Sequence, residues 1–169
     1  MLNVPKQYLD LISALPDREV SYGSGGIALL GPADLEQGQT GYRTDAGGQS
    51  LTGKGEGAWQ EDWLVIGRET AYGDPIFLST QAPYPVMTAA PDEGVWHPSL
   101  VAPTLEAFRE CLSLFRELAR GRENPAALAA NPLGHLDAAT YIAQIGGLVD
   151  GDPDALEFWM VQAEIGIEE

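Results

Sequence analysis

Two short apolar runs, set close together, constrain the fold of this chain most: Trp63-Leu64-Val65-Ile66 and Ile76-Phe77-Leu78. Both are rich in β-branched and aromatic residues, which fit a pleated, crowded surface, and both read as strands. Gly67 and Gly73-Asp74-Pro75 supply turn chemistry between them. Glycine admits positive φ, an Asp side chain can bond its own backbone, and proline presets φ before the next strand. Neither run alternates apolar with polar residues, and a strand without a polar face belongs at the centre of a sheet covered on both sides. The hairpin is therefore a core element, and no catalytic group is evident inside it.

Around it the pattern is mixed. Pro5 to Leu15 reads as a short helix with Tyr8, Leu9, Leu11, Ile12 and Leu15 as its apolar stripe and Pro16 closing it. Ile27-Ala-Leu-Leu30 reads as a strand, followed by a helical turn near Asp34-Leu35-Glu36. From Gln37 to Gly57 the chain is rich in Gly, Thr and Gln with little periodic apolarity, which marks a long loop with at most an irregular strand near Tyr42. Tyr84 to Thr88 is a further strand and Pro91-Asp-Glu-Gly94 a turn. Thr104 can cap a helix running to about Arg120, with Glu106 and Glu110 near its positive end and Gly121 after it.

The order of these segments resembles the SUKH superfamily, the fold of a yeast cell-wall-synthesis regulator and of many bacterial immunity proteins. The resemblance rests on Asp62-Trp-Leu-Val-Ile-Gly67 with its acidic, Trp-containing lead-in, on Gly73-Asp-Pro-Ile-Phe-Leu78, and on the Pro-Val-x-Thr strand ending at Thr88. It continues through Gly94-Val-Trp96-His-Pro98-Ser-Leu-Val-Ala-Pro103-Thr-Leu-Glu-Ala-Phe108. It covers residues 64–118 well and the first half loosely; the loop at 37–57 departs from the family, and nothing after about Gly121 resembles it. It implies an α+β domain with a mainly antiparallel sheet of four to six strands and helices packed on one face. It also implies a protein that neutralises secreted toxins, many of them nucleases or deaminases, by direct binding.

Charge bears on the same question. Twenty-five acidic residues against nine basic ones leave a net charge of −16. Such a surface repels nucleic-acid phosphates and anionic membranes and steers basic partners toward it, although acidity also serves solubility alone. At 169 residues with 44% hydrophobic residues, the chain suits one domain, or one domain with an appendage. One cysteine, Cys111, excludes an internal disulfide framework and fits a reducing compartment; it falls on an amphipathic helix, where a small core role suits it. No signal-like or membrane-length run is present, so a cytoplasmic protein is expected.

A boundary is expected near residue 121, with a SUKH-like domain over 1–121 and a helical C-terminal extension over 122–169. Asn124 to Gly134 is linker-like, with an Ala-rich turn between prolines. Asp137 to Leu148 and Pro153 to Ile167 read as amphipathic helices, striped by Leu136, Tyr141, Ile142, Ile145 and Leu148 and by Leu156, Trp159, Met160, Ala163 and Ile167. From Glu123 onward nine acidic residues meet no Lys or Arg. Such a helical pair has to bury its apolar face on the sheet domain, on a partner, or on a second copy in a homodimer, and the sequence leaves all three open.

Several motifs come close to known chemistry and fail on a specific residue. Gly48-Gln-Ser-Leu-Thr-Gly53-Lys54-Gly55 lacks the Ser or Thr that would bind Mg²⁺, and no strand precedes it. Gly23-Ser-Gly25-Gly26-Ile-Ala28 has no apolar strand leading into it. Asp150-Gly-Asp152-Pro-Asp154 has the wrong residues for a calcium loop, and Asp152 with Pro153 reads better as a helix cap. His97 and His135, the only histidines, stand alone without ligand spacing. No catalytic residue, cofactor site or metal site is assigned, which favours a binding protein over an enzyme. The expected contact residues for a basic protein toxin are Trp59, Glu61, Asp62, Glu69, Tyr72 and Asp74, then Asp92, Glu93 and Trp96. The alternative is a cytoplasmic regulatory or scaffold module of the same fold, unrelated to toxins.

Overall fold

The computed structural model describes residues 2–165, apart from the side chains of residues 135 and 136. It is an α+β fold built on one curled, antiparallel sheet of six strands. Helix α1 (Lys6–Ala14) leads into strands β1 (Glu19–Tyr22) and β2 (Gly25–Leu29). A short turn and helix α2 (Leu35–Gly38) open the long loop, and the central hairpin follows as β3 (Trp63–Glu69) and β4 (Pro75–Ser79). Strand β5 (Val86–Thr88), a small ribbon of β6 (Pro91–Asp92) and β7 (Val95–Trp96), and strand β8 (Ser99–Ala102) complete the β structure. Helices α3 (Leu105–Ala119), α4 (Pro125–Ala130), α5 (His135–Leu148) and α6 (Pro153–Gln162) come last. In space the sheet runs β1-β2-β3-β4-β5-β8.

The apolar runs behave as their lack of alternation requires. Leu64, Ile66, Ile76 and Leu78 face the main core with the helices, while Val65 and Phe77 face a second, smaller cluster on the opposite side. Successive side chains of a strand point to opposite faces, so a strand covered on both sides must be apolar at every position. Helices cover the first face; the long loop and the β6–β7 ribbon cover the second. Gly67, expected as turn punctuation, lies inside β3 instead. A Cβ there would sit 2.3 Å from the Ala28 carbonyl oxygen, so glycine is needed for the close approach of β2. Strand β1 escaped the sequence pattern because only Val20 and Tyr22 of its four residues are buried.

Helix α3 starts as expected, with Thr104 Oγ1 accepting the Ala107 N–H at 3.0 Å, and Gly121 follows it at φ +78°. The tail folds back onto the sheet. Tyr141, Ile145, Ala155, Phe158 and Trp159 belong to the same core as Ile27 and Phe108, so the segments on either side of residue 121 share one apolar interior. Ile167 and the side chain of Leu136, two members of the expected helical stripes, lie outside the described residues, as does the side chain of His135.

Helix α6 touches β8 at one edge of the sheet and β2 beside the other. Trp159 Nε1–H donates to the Val101 carbonyl at 3.0 Å, and the Gly26 N–H donates to Gln162 Oε1 at 3.2 Å. The helix thereby spans the open side of the curled sheet and covers edge strand β8, which would otherwise present unpaired backbone.

Candidate partner-binding surface

The nine expected contact residues fall into three groups. In the first, Trp59 is only 1% exposed and is the centre of the second core, with ring centroids 4.7 Å from Phe77, 5.2 Å from Trp63 and 5.4 Å from Tyr42 and Trp96. Its Nε1–H donates to the Trp63 carbonyl at 3.2 Å. None of the described residues of this second core comes from a helix, so an indole fills it, and Trp59 is not the exposed anchor expected of it. Asp62 is half-buried and accepts from Ser79 Oγ at 2.6 Å, tying the start of β3 to the end of β4. Glu61 is exposed beside it.

The second group sits on the ribbon. Glu93 and Gly94 both take positive φ, 51° and 80°, as a two-residue hairpin turn of this hand demands. Asp92 and Glu93 are exposed, and Asp92 lies 3.8 Å from an equally exposed His97. Trp96 is half-buried against Tyr42 and Trp59, and its N–H donates to the Gly57 carbonyl at 2.9 Å. It anchors the ribbon to the second core.

The third group is the β3–β4 turn. Glu69 is 4% exposed, and its carboxylate accepts the N–H groups of Ala71 at 3.1 Å and of Tyr72 and Asp74 at 2.9 Å. It therefore organises the turn from within and is not the exposed contact residue expected of it. The turn thrusts Tyr72 into solvent, 83% exposed. Asp74 is half-buried, and its carboxyl is pushed above the ordinary range by desolvation first and by the charge of Glu69 second.

These groups do not form one patch. Glu61 and Asp62 precede β3, while Glu69 ends that seven-residue strand, a separation of about 20 Å at ~3.3 Å per residue. What the fold brings to the β3–β4 turn instead is helix α6. Tyr72 and Asp74 face Asp154, Glu157, Phe158 and Val161 across a groove of about 300 Å³, with the nearly buried Glu69 and Gln162 at its side and Thr88 and Ser99 completing the lining. The α6 residues stand at i, i+3, i+4 and i+7, one face of a helix. That spacing is visible in the sequence and marks a stripe of two carboxylates and two apolar side chains. Its juxtaposition with a turn some eighty residues earlier is not visible. Among the described residues no Lys, Arg or His lines the groove.

The remaining motifs are structural. Lys54 lies exposed in a loop that neither follows a strand nor opens a helix. Gly23 to Ala28 is the β1–β2 hairpin, an antiparallel turn unsuited to a dinucleotide. Asp152 caps α6, accepting the Ala155 N–H at 3.0 Å. Among the described residues no helix is long and apolar enough to cross a membrane. Among known proteins, no family model, no curated protein and no solved structure matches this chain.

Proposed function

We propose that this chain is a non-catalytic, acidic binding protein of the SUKH type, which protects a bacterial cytoplasm by masking the basic surface of a nuclease- or deaminase-type toxin. The observation that carries the reading is the groove between the β3–β4 turn and α6, where exposed Tyr72 and Val161 stand among Asp74, Asp154 and Glu157 and no Lys, Arg or His is among the described lining residues. Enzymes acting on nucleic acid present basic clefts, and an acidic protein with aromatic anchors suits such a cleft. The net charge of −16 adds long-range steering, which speeds association and weakens with salt. The sequence resemblance and the antiparallel α+β class support the family part of the proposal.

The test is co-expression of the chain with its neighbouring reading frames, followed by capture at low and high salt. A tight complex with one basic toxin domain, loosening steeply as salt rises, is the expected result. A complex indifferent to salt removes the electrostatic mechanism. A self-associating protein with no toxin partner supports a scaffold module instead.

A further inference from the structure

We propose that a second copy of this chain docks on the trough between α3 and α5, the two copies packed end for end about a two-fold axis. The inference is independent of the toxin reading, since the trough shares no residue with the groove at the β3–β4 turn.

Helix α5 buries one face only. Tyr141, Ile145 and Val149 belong to the core, while Ala139, Ala143 and Gly147, one helical row at i, i+4 and i+8, stay exposed. The late residues of α3 lie beside the early residues of α5, so the two run antiparallel with an open trough between them. Leu114 and Gln144 mark its middle, Arg109 and Leu148 lie at one end, and Arg122 and Asp137 at the other. The half-buried Leu114 and Leu148 give it apolar walls.

Charge selects the occupant. A chain of net charge −16 repels its own copies over most of its surface. The trough differs, because residues 105–122 hold four of the nine basic residues against three acidic ones. Its ends carry both signs, Arg109 with Glu110 at one and Arg122 with Glu117 and Asp137 at the other. An isologous two-fold contact lays each end over the opposite end of its mate. Arg109 then meets Asp137 of the second copy, Glu110 meets Arg122, and symmetry repeats both pairs. A uniformly acidic or uniformly basic partner instead meets a like charge at both ends.

The groups concerned are available. Among the described residues Glu110, Arg122 and Asp137 form no ion pair, and the Arg109–Glu106 pair is exposed, where such a pair contributes little. Arg122 is held in place by its own backbone, donating from Nη1 to the Leu118 carbonyl at 2.6 Å and from Nε to the Asn131 carbonyl at 2.9 Å. Gly147 fits the same arrangement. Glycine weakens a helix interior, and a fold gains from it where another chain segment comes too close for a side chain. Inside this chain nothing does, since a Cβ at Gly147 would meet no atom within 4 Å. The bare backbone leaves room for a helix arriving from outside.

The experiment is sedimentation equilibrium of the full chain over about 1 to 100 µM. The parent is expected to pass from the 18.1 kDa of one chain to twice that mass. Arg109→Glu and Asp137→Arg, each alone, oppose like charges at both symmetry-related contacts and should weaken self-association about tenfold. An equimolar mixture of the two variants opposes unlike charges at both contacts again and should recover the parent's affinity to within about threefold. Gly147→Gln, which the open space admits and which favours the helix, should weaken the dimer about tenfold. Near-ultraviolet CD at the lowest concentration should be unchanged in every variant. A monomer throughout the range, a dimer indifferent to Gly147→Gln, or single variants that do not recover on mixing overturns the assignment. The two proposals fail separately. A monomer that captures a toxin leaves immunity standing and removes the dimer, and a dimer with no toxin partner does the reverse.

Discussion

The side-chain amide of Gln39 stands in for a missing strand residue beside Val65, accepting its N–H at 2.9 Å and donating to its carbonyl oxygen at 2.9 Å. Strand β2 pairs with β3 only as far as Leu29 opposite Gly67, with one more bond from the Leu30 N–H to the Ile66 carbonyl. Beyond that point Val65 would be left without partners inside a core. Gln39 is 1% exposed, and its other N–H donates to the Leu35 carbonyl at 2.8 Å, which fixes the amide's orientation. Gln39→Leu keeps the volume and strips both bonds to Val65. A buried group left unpaired costs about 1–3 kcal/mol, so the expected loss is about 2–4 kcal/mol in urea unfolding. A loss below about 1 kcal/mol means that the Val65 groups find other partners and are not held by Gln39.

Trp159 and Val101 make a comparable pair at the sheet's edge. Val86 pairs with Ala102 and Met87 with Leu100, so Val101 is the extra residue of a bulge, and its carbonyl oxygen accepts the indole N–H. Trp159→Phe preserves most of the packing against Phe108, Phe115 and Phe158 but orphans that carbonyl, for an expected loss of about 1–3 kcal/mol. Trp159→Ala, which also opens a cavity, should cost about 3–5 kcal/mol. Equal effects from the two variants would show that packing carries the whole contribution.

These pairs also mark where the sequence stops being readable. The hairpin of Leu64–Ile66 and Ile76–Leu78 was legible because burial on both faces leaves no room for a polar residue, and the Thr104 cap because its chemistry is local. Gln39 was not, since one glutamine in a loop rich in Gly, Thr and Gln looks solvated until the end of β2 leaves Val65 bare beside it. Trp59 misled for a related reason. An aromatic flanked by acidic residues in a loop fits an interface anchor, and only the absence of a helix on that face turns it inward. The groove depends on Tyr72 and α6 lying on its two sides, and periodicity carries no information about neighbours so distant in the chain.

Cys111 should be chemically silent in the folded protein. It is fully buried on α3, and burial, with a smaller push from the Glu110 charge, raises its thiol to about 12. The thiolate is the nucleophile, so alkylation by iodoacetamide at mildly alkaline pH should proceed only as the chain unfolds and become rapid in denaturant. Native-state labelling at the rate of a free thiol would contradict the buried placement.

Asp74 should destabilise the folded chain once it ionises. Its carboxyl is raised by desolvation and by Glu69, so the folded-state value lies above the unfolded one. As pH rises the unfolded chain loses this proton first. The favourable contribution is complete below the unfolded value and lost as pH climbs through the folded value. Asp74→Asn removes the ionisation and keeps the backbone N–H that donates to Glu69. Asp74 is only partly buried, so solvent screening keeps the effect modest. The asparagine variant should match or exceed the parent in urea unfolding at neutral pH, with the difference shrinking toward about pH 3, where both side chains are neutral. A parent more stable than the variant at neutral pH would mean that the Asp74 carboxylate is held by a favourable partner, and that the acidic wall of the groove is already compensated.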